Sequence, residues 1–246
     1  MLAGHFTTAL VAQQHASVDG QTASKGLFAY FLVASQLPDL LWLVFHYLGL
    51  EPTEPDNVMN VSLDNLQVVM TYSHDLLPIL GWILLVTLLG RTLFNSWRPA
   101  WIGGLLITVH AVTDYVGGFP HNLFGPDTHS VGTGLYYTSP YLAVALEAIF
   151  TIAVMAWVLH ADRQAGIRRH LTTWKVWIAV FGGGIAFMFS SADLSLVELT
   201  GLDPLPAMSG STIPAMFVIY GGMFASLLWA DRFPVSKTDL PVSGKE

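Results

Sequence analysis

Cysteine is absent from the 246 residues, which excludes disulfides, iron–sulfur clusters, thiolate zinc sites and cysteine nucleophiles. Any metal must therefore be held through nitrogen and oxygen. Charge is scarce too: Asp, Glu, Lys and Arg make up 11% of the chain, against about a quarter in an ordinary soluble domain. The few lysines and arginines form no stripe that could track phosphates, so no nucleic-acid partner is expected. The opening stretch, MLAGHFTTALVAQQHASVDG, has neither the basic start nor the small-residue cleavage site of a secretory signal, and is expected to belong to the mature protein.

What the chain has in abundance is apolar surface. Hydrophobic residues make up 53% of it and the mean hydropathy is +0.54, which predicts an all-α, polytopic helical membrane protein. Apolar runs near the length of about 20 residues that crosses a bilayer fall at 25–50, 71–94, 101–116, 137–160, 174–192 and 213–230. A short helix over 2–15 precedes them, either as a partial span that brings His5 towards the outer side or as a surface helix. With no repeat or soluble module in sight, 1–246 reads as one integral membrane domain: an N-terminal helix and loop (1–24), site-bearing helices (25–160), two further spans (161–230) and a polar tail (231–246).

The basic residues orient these spans. Arg91 and Arg98 lie between the second and third, Arg163, Arg168, Arg169 and Lys175 between the fourth and fifth, and Arg232, Lys237 and Lys245 after the sixth, with Lys25 before the first. The alternate loops, EPTEPDNVMNVSLDN and DLSLVELTGLDPLP, are acidic and contain neither lysine nor arginine. The positive-inside rule makes the basic side cytoplasmic and predicts an inner-membrane protein with His121 and His129 on the outer side.

Ionisable groups cluster on that outer side. His110 and Asp114 are four apart, one turn from each other on a single helix face. His121 and His129 follow in a Gly/Pro-rich loop able to fold back over the helix end. Asp39 stands inside the first span, where a carboxylate costs about 2.5–3.5 kcal/mol and is expected to face a partner. At ~1.5 Å per residue it lies ~21 Å above Lys25, while His110 and Asp114 lie ~17 and ~23 Å above Pro99. His74 and Asp75 open the second span slightly higher, and Glu147 sits within the fourth. Imidazole and carboxylate together suit a divalent ion, zinc first, with manganese or iron as alternatives.

Other features have plainer readings. Asp75 can cap the second span, Asp127 can make an Asx turn, His160 and His170 read as loop residues, and His15 and His46 are weak candidates. The run FGGGIAF suits close helix packing, and Trp42, Trp97, Trp101, Trp157 and Trp174 read as interface anchors.

The succession GHFTTALVA, LPDLL, YSHDLLP and HAVTD resembles the membrane-bound metal-dependent hydrolase family, the inner-membrane hydrolases described as LexA-binding. It is more similar still to bacterial multi-pass proteins that carry a helix-borne His-x-x-x-Asp, a loop segment matched here by FPHNLFGPDTH, a run matched by VGTGLYY and a glutamate matched by Glu147. A more distant likeness is to zinc-dependent phospholipase C. The resemblance covers about the first 150 residues and departs where Leu41 replaces a second acid and Thr71 and Tyr72 replace a basic element. It implies His5, Asp39, His74, His110, Asp114 and His121 as ligands, with His129 and Glu147 beside them.

The expected function is hydrolysis of an ester or phosphoester in a membrane lipid or lipid-like molecule, with Asp39, His74, His110 and Asp114 holding the metal and Glu147 or Asp75 taking a proton. Two rivals use the same residues: a proton-coupled transporter with an Asp/His relay, and a haem protein with His74 and His110 as the pair.

Overall fold

The computed structural model describes residues 3–16, 26–206, 212–233 and 235–237. Lys25 and Lys245, used above for orientation, lie outside them. Helix α1 (Ala3–Ala16) is followed by α2 (Leu27–Tyr47) and then a long connecting segment holding a two-residue hairpin, β1 (Thr53–Glu54) with β2 (Gln67–Val68). Next come α3 (Leu76–Phe94) and α4 (Trp97–Gly117), a second minimal hairpin of β3 (His121–Asn122) and β4 (Ser130–Val131), a single turn α5 (Leu135–Thr138), and the long α6 (Pro140–Gln164). The chain continues through β5 (Ile167–Arg168), α7 (Leu171–Trp177), a π-helical stretch over Ile178–Gly182, α8 (Gly183–Ser190), α9 (Leu196–Thr200) and α10 (Ile213–Ala230), and closes with β6 (Ser236–Lys237) paired to β5.

The all-helical expectation holds for the body of the molecule, the strands being short clips in the turns. Five helices are long and apolar enough to cross a membrane: α2, α3, α6, the continuous stretch Leu171–Ser190 and α10. The predicted third span, α4, is a single helix of 21 residues but does not reach that apolar composition. The cause is its inner stripe, which alternates small and polar residues: Ala100, Gly103, Gly104, Ile107, His110, Ala111 and Asp114 are all buried. The predicted fifth span falls within the continuous stretch Leu171–Ser190, which is π-helical over Ile178–Gly182.

Helix α4 is central, packing on α2 and α3, while α1 packs on α2, α4 and α6. Two glycines make room for a side chain of α2 at the seam between α3 and α4. A Cβ at Gly90 or Gly103 would overlap the Tyr30 side chain of α2, whose hydroxyl donates to Val86 O at 3.0 Å. In the run FGGGIAF only Gly184 meets a neighbour, Ala3 of α1, so most of that run does not serve close packing.

Helix α1 resolves one of the open alternatives. It lies within the bundle with Phe6 and Leu10 buried, and its far end is tied to the basic turns: Gln14 donates to Asp162, Arg98 donates to His15 O, and Gln13 donates to Asp231. The other end begins against α6, where Glu147 Oε1 accepts from the amides of Ala3 (2.6 Å) and Gly4 (3.1 Å). The orphan donors of a helix N-terminus are thus met by a buried carboxylate. Around the bundle the outward side chains are large and apolar, including Leu77, Leu80, Leu84, Leu85 and Leu88 on α3 alone, a surface far more extensive than the patches of soluble monomers.

Candidate metal centre

Four helices and one turn bring the site together. Pro38 interrupts the hydrogen-bond ladder of α2 by lacking an N–H. Three residues before it in the chain, Ser35 offers its carbonyl to His110 Nδ1 of α4 at 2.8 Å. With Nδ1 donating, His110 Nε2 carries the lone pair; it is buried and has no hydrogen-bond partner. His74 lies in the turn before α3, with Nδ1 against Ser73 Oγ at 2.8 Å, which leaves its Nε2 free to face inwards. That turn is itself held by Glu51, which accepts from the amides of Tyr72 (2.6 Å) and Ser73 (2.9 Å) and whose pKa is raised by burial against the pull of those amides.

Those two nitrogens and one oxygen from each aspartate form a compact set. His110 Nε2 is 3.1 Å from Asp114 Oδ2 and 3.8 Å from Asp39 Oδ1, and His74 Nε2 is 3.7 and 3.3 Å from the same two oxygens. All four atoms lie within 4.8 Å of one another, and all four residues are buried. Ligand bonds of about 2.1 Å at tetrahedral angles place neighbouring donor atoms about 3.4 Å apart, inside that range. Two buried carboxylates face each other here with no lysine or arginine between them, a charge that a divalent cation neutralises. The donor set therefore fits a metal ion.

The remaining carboxylate oxygens are occupied from behind. Tyr220 of α10 donates to Asp39 Oδ2 at 2.8 Å, and His5 lies with Nε2 3.4 Å from Asp114 Oδ1 and Nδ1 3.9 Å from Asp39 Oδ2. His5 also contacts Thr113 Oγ1 at 2.9 Å and stacks on His110 with ring centroids 3.7 Å apart. It therefore touches oxygens other than the two in the four-atom set. His121 stacks almost parallel on His74 at 5.3 Å, and its Nδ1 is buried without a partner. Burial, with His74 adding to it, drives its imidazole down to about 3, so it is neutral at physiological pH.

Three other residues singled out in the sequence lie apart from this set. His129 is exposed in the hairpin loop, with its carbonyl accepting from Leu123 N. Asp75 stands at the N-cap of α3 without capping it; its two oxygens accept instead from the amides of Asn122 (2.8 Å) and Gly125 (2.6 Å), pinning the loop that carries His121. Glu147 holds the start of α1. Trp42, read as an interface anchor, is buried, with its indole N–H donating to Thr53 Oγ1, and lines the cavity over the cluster.

Sequence reasoning did not single out Ser35, Ser73 or Tyr220. Serine next to a ligand histidine is a faint signal, and Tyr220 lies in a span that no motif marked. Comparison with family models, with curated proteins and with solved structures finds no match. The chain thus stands on its own geometry: a mainly helical protein with apolar helices of membrane-spanning length and a buried His/His/Asp/Asp cluster able to hold a divalent metal ion.

Proposed function

We propose that the chain is a multi-pass inner-membrane hydrolase with a divalent-metal site in the outer half of the bilayer, acting on an ester or phosphoester of a lipid-like substrate, in line with the family it resembles. The observation that carries the reading is the four-atom set, Asp39 Oδ1, His74 Nε2, His110 Nε2 and Asp114 Oδ2, with nitrogen-to-oxygen separations of 3.1–3.8 Å. Asp39, His74, His110 and Asp114 would hold the ion, with zinc favoured by two imidazoles and two carboxylates in a compact arrangement. When bound, such an ion supplies Lewis acidity and a water of lowered pKa.

The protein's own groups do the positioning. Ser35 O and Ser73 Oγ set the ring orientation of His110 and His74, as partners behind metal ligands commonly do. Tyr220 and His5 hold the outer oxygens of the two aspartates. Glu147 and Asp75, expected to move a proton, are assigned positioning roles, on α1 and on the loop that carries His121 respectively, because Glu147 Oε1 and both oxygens of Asp75 accept backbone amides. His121, neutral and on the cavity wall, is the imidazole left to meet a substrate.

The rivals fit less well. The space between the Nε2 atoms of His74 and His110 holds two carboxylate oxygens, which leaves no slot for a haem. A relay through the bilayer needs titratable groups on both sides of the cluster, whereas the buried polar residues that follow His5 on α1, Thr7 and Thr8, do not titrate and donate to carbonyls of their own helix. The test is hydrolysis of a mixed lipid-ester and phospholipid pool by the purified protein in nanodiscs. Activity is expected to vanish on chelation and return with zinc or manganese; activity indifferent to chelation would refute the metal-dependent reading.

A further inference from the structure

A cavity of about 110 Å³ reaches the cluster, with Asp39, His74, Asp114 and His121 at its floor. Its walls are otherwise largely apolar and include Trp42, Leu63, Met70, Phe119, Met188 and Met216. Among the described residues, no lysine or arginine lines it. The arginines are gathered at the opposite end of the bundle: Arg98 bonds to His15 O at the foot of α1, Arg169 clasps Asp162 at the end of α6, and Arg91 bonds to Asn95 in the turn between α3 and α4. Arg163 near the end of α6, Arg168 in β5, Lys175 in α7 and Arg232 after α10 lie in or beside the same connections. The segments around the cavity carry acids instead, namely Glu51, Asp64, Asp193 and Glu198.

This distribution bears on the substrate. Asp39 and Asp114 together balance one divalent cation, so the loaded floor carries no surplus positive charge. A phosphate group entering there would bring one or two negative charges into an apolar enclosure with no guanidinium or ammonium to receive them, and sites built for phosphate supply such groups. A carboxylic ester brings a polar carbonyl and no charge.

We infer that this cavity selects an uncharged carboxylic ester and rejects phosphoesters. The inference rests on the hydrolase reading and narrows it. In the reaction, the oxygen of water bonds to the acyl carbon and the acyl C–O bond breaks. One proton of water goes to the leaving alcohol and the other to solvent, leaving a carboxylate. That product is anionic, so the charge distribution that rejects phosphate also favours its release.

Binding can be read apart from turnover because the chain has no cysteine. Met216→Cys places a lone thiol on the cavity wall, and Leu63→Cys supplies a second position should the first variant fold poorly. The rate of maleimide labelling is measured in zinc-loaded protein in nanodiscs with methyl laurate, dodecyl phosphate or dodecyl methyl phosphate added, each also followed for hydrolysis. Methyl laurate is expected to protect the thiol at concentrations on the order of 100-fold below either phosphate, since burying an unpaired charge is costly. Equal or better protection by a phosphate, or no protection by methyl laurate at either position, would overturn the inference. Selective protection by methyl laurate without its hydrolysis would uphold the selection by charge and defeat the hydrolase reading beneath it.

Discussion

His74 and His110 are held alike, each with Nδ1 against an oxygen, Ser73 Oγ or Ser35 O, and Nε2 towards the same two carboxylates. Such partners fix ring orientation and basicity, and their loss costs about 10–100-fold in metal affinity. Ser73→Ala is therefore expected to weaken zinc binding by about 10-fold, measured by competition with a chromophoric chelator, while the thermal transition of the metal-free protein stays close to that of the parent. The spacing of His110 and Asp114 was legible in the sequence because four residues make one helical turn. Asp39 was legible because a carboxylate in an apolar span demands a partner. The division of labour among carboxylate oxygens was not: whether His5 meets the oxygens that face His74 and His110 or those behind them depends on side-chain rotation, which spacing does not encode. Asp75 shows the same limit, since a residue placed to cap α3 turned instead to the amides of Asn122 and Gly125.

Helix α1 is the element on which the site leans most heavily from outside the four ligands. At 14 residues, ~1.5 Å each, it is about two thirds of a span, and it begins deep within the bundle on a buried glutamate. Removing Glu147 leaves the amides of Ala3 and Gly4 unpaired, at a cost of about 1–3 kcal/mol. Glu147→Ala is expected to lower the melting temperature and raise hydrogen exchange across Ala3–Ala16. Glu147→Gln, which keeps an acceptor oxygen, is expected to recover most of that loss. Equal loss in both variants would show that the carboxylate acts through its charge and not as a cap. The helix was visible in the sequence as an apolar stretch, but its depth was not, because surface and interior placement differ only in what the rest of the chain offers it. Helix α4 posed the converse problem: its glycines and polar residues dilute its hydropathy because they face Tyr30 and the metal cluster rather than lipid.

At the scale of the whole molecule, charge is segregated along the bundle, with arginines in the turns at the foot of α1 and acids around the cavity at the other end. That asymmetry is the ground for expecting the arginine-bearing end on the cytoplasmic side, by the positive-inside rule. Single cysteines in this cysteine-free chain test it: His129→Cys in intact cells is expected to react with a membrane-impermeant maleimide, and Arg168→Cys only after lysis. The reverse pattern would invert the protein and place the cavity on the cytoplasmic side. The bundle's purpose, on this account, is to hold two imidazoles and two carboxylates from distant parts of the chain around one ion. The most direct measurement is the metal content of the purified protein by elemental analysis. About one tightly held divalent ion per chain, as a buried set of two imidazoles and two carboxylates supports, is predicted for the parent protein and is expected to be lost in folded His110→Ala and Asp114→Ala. Catalytically active protein with no bound metal, or variants that retain the ion in full, would contradict it.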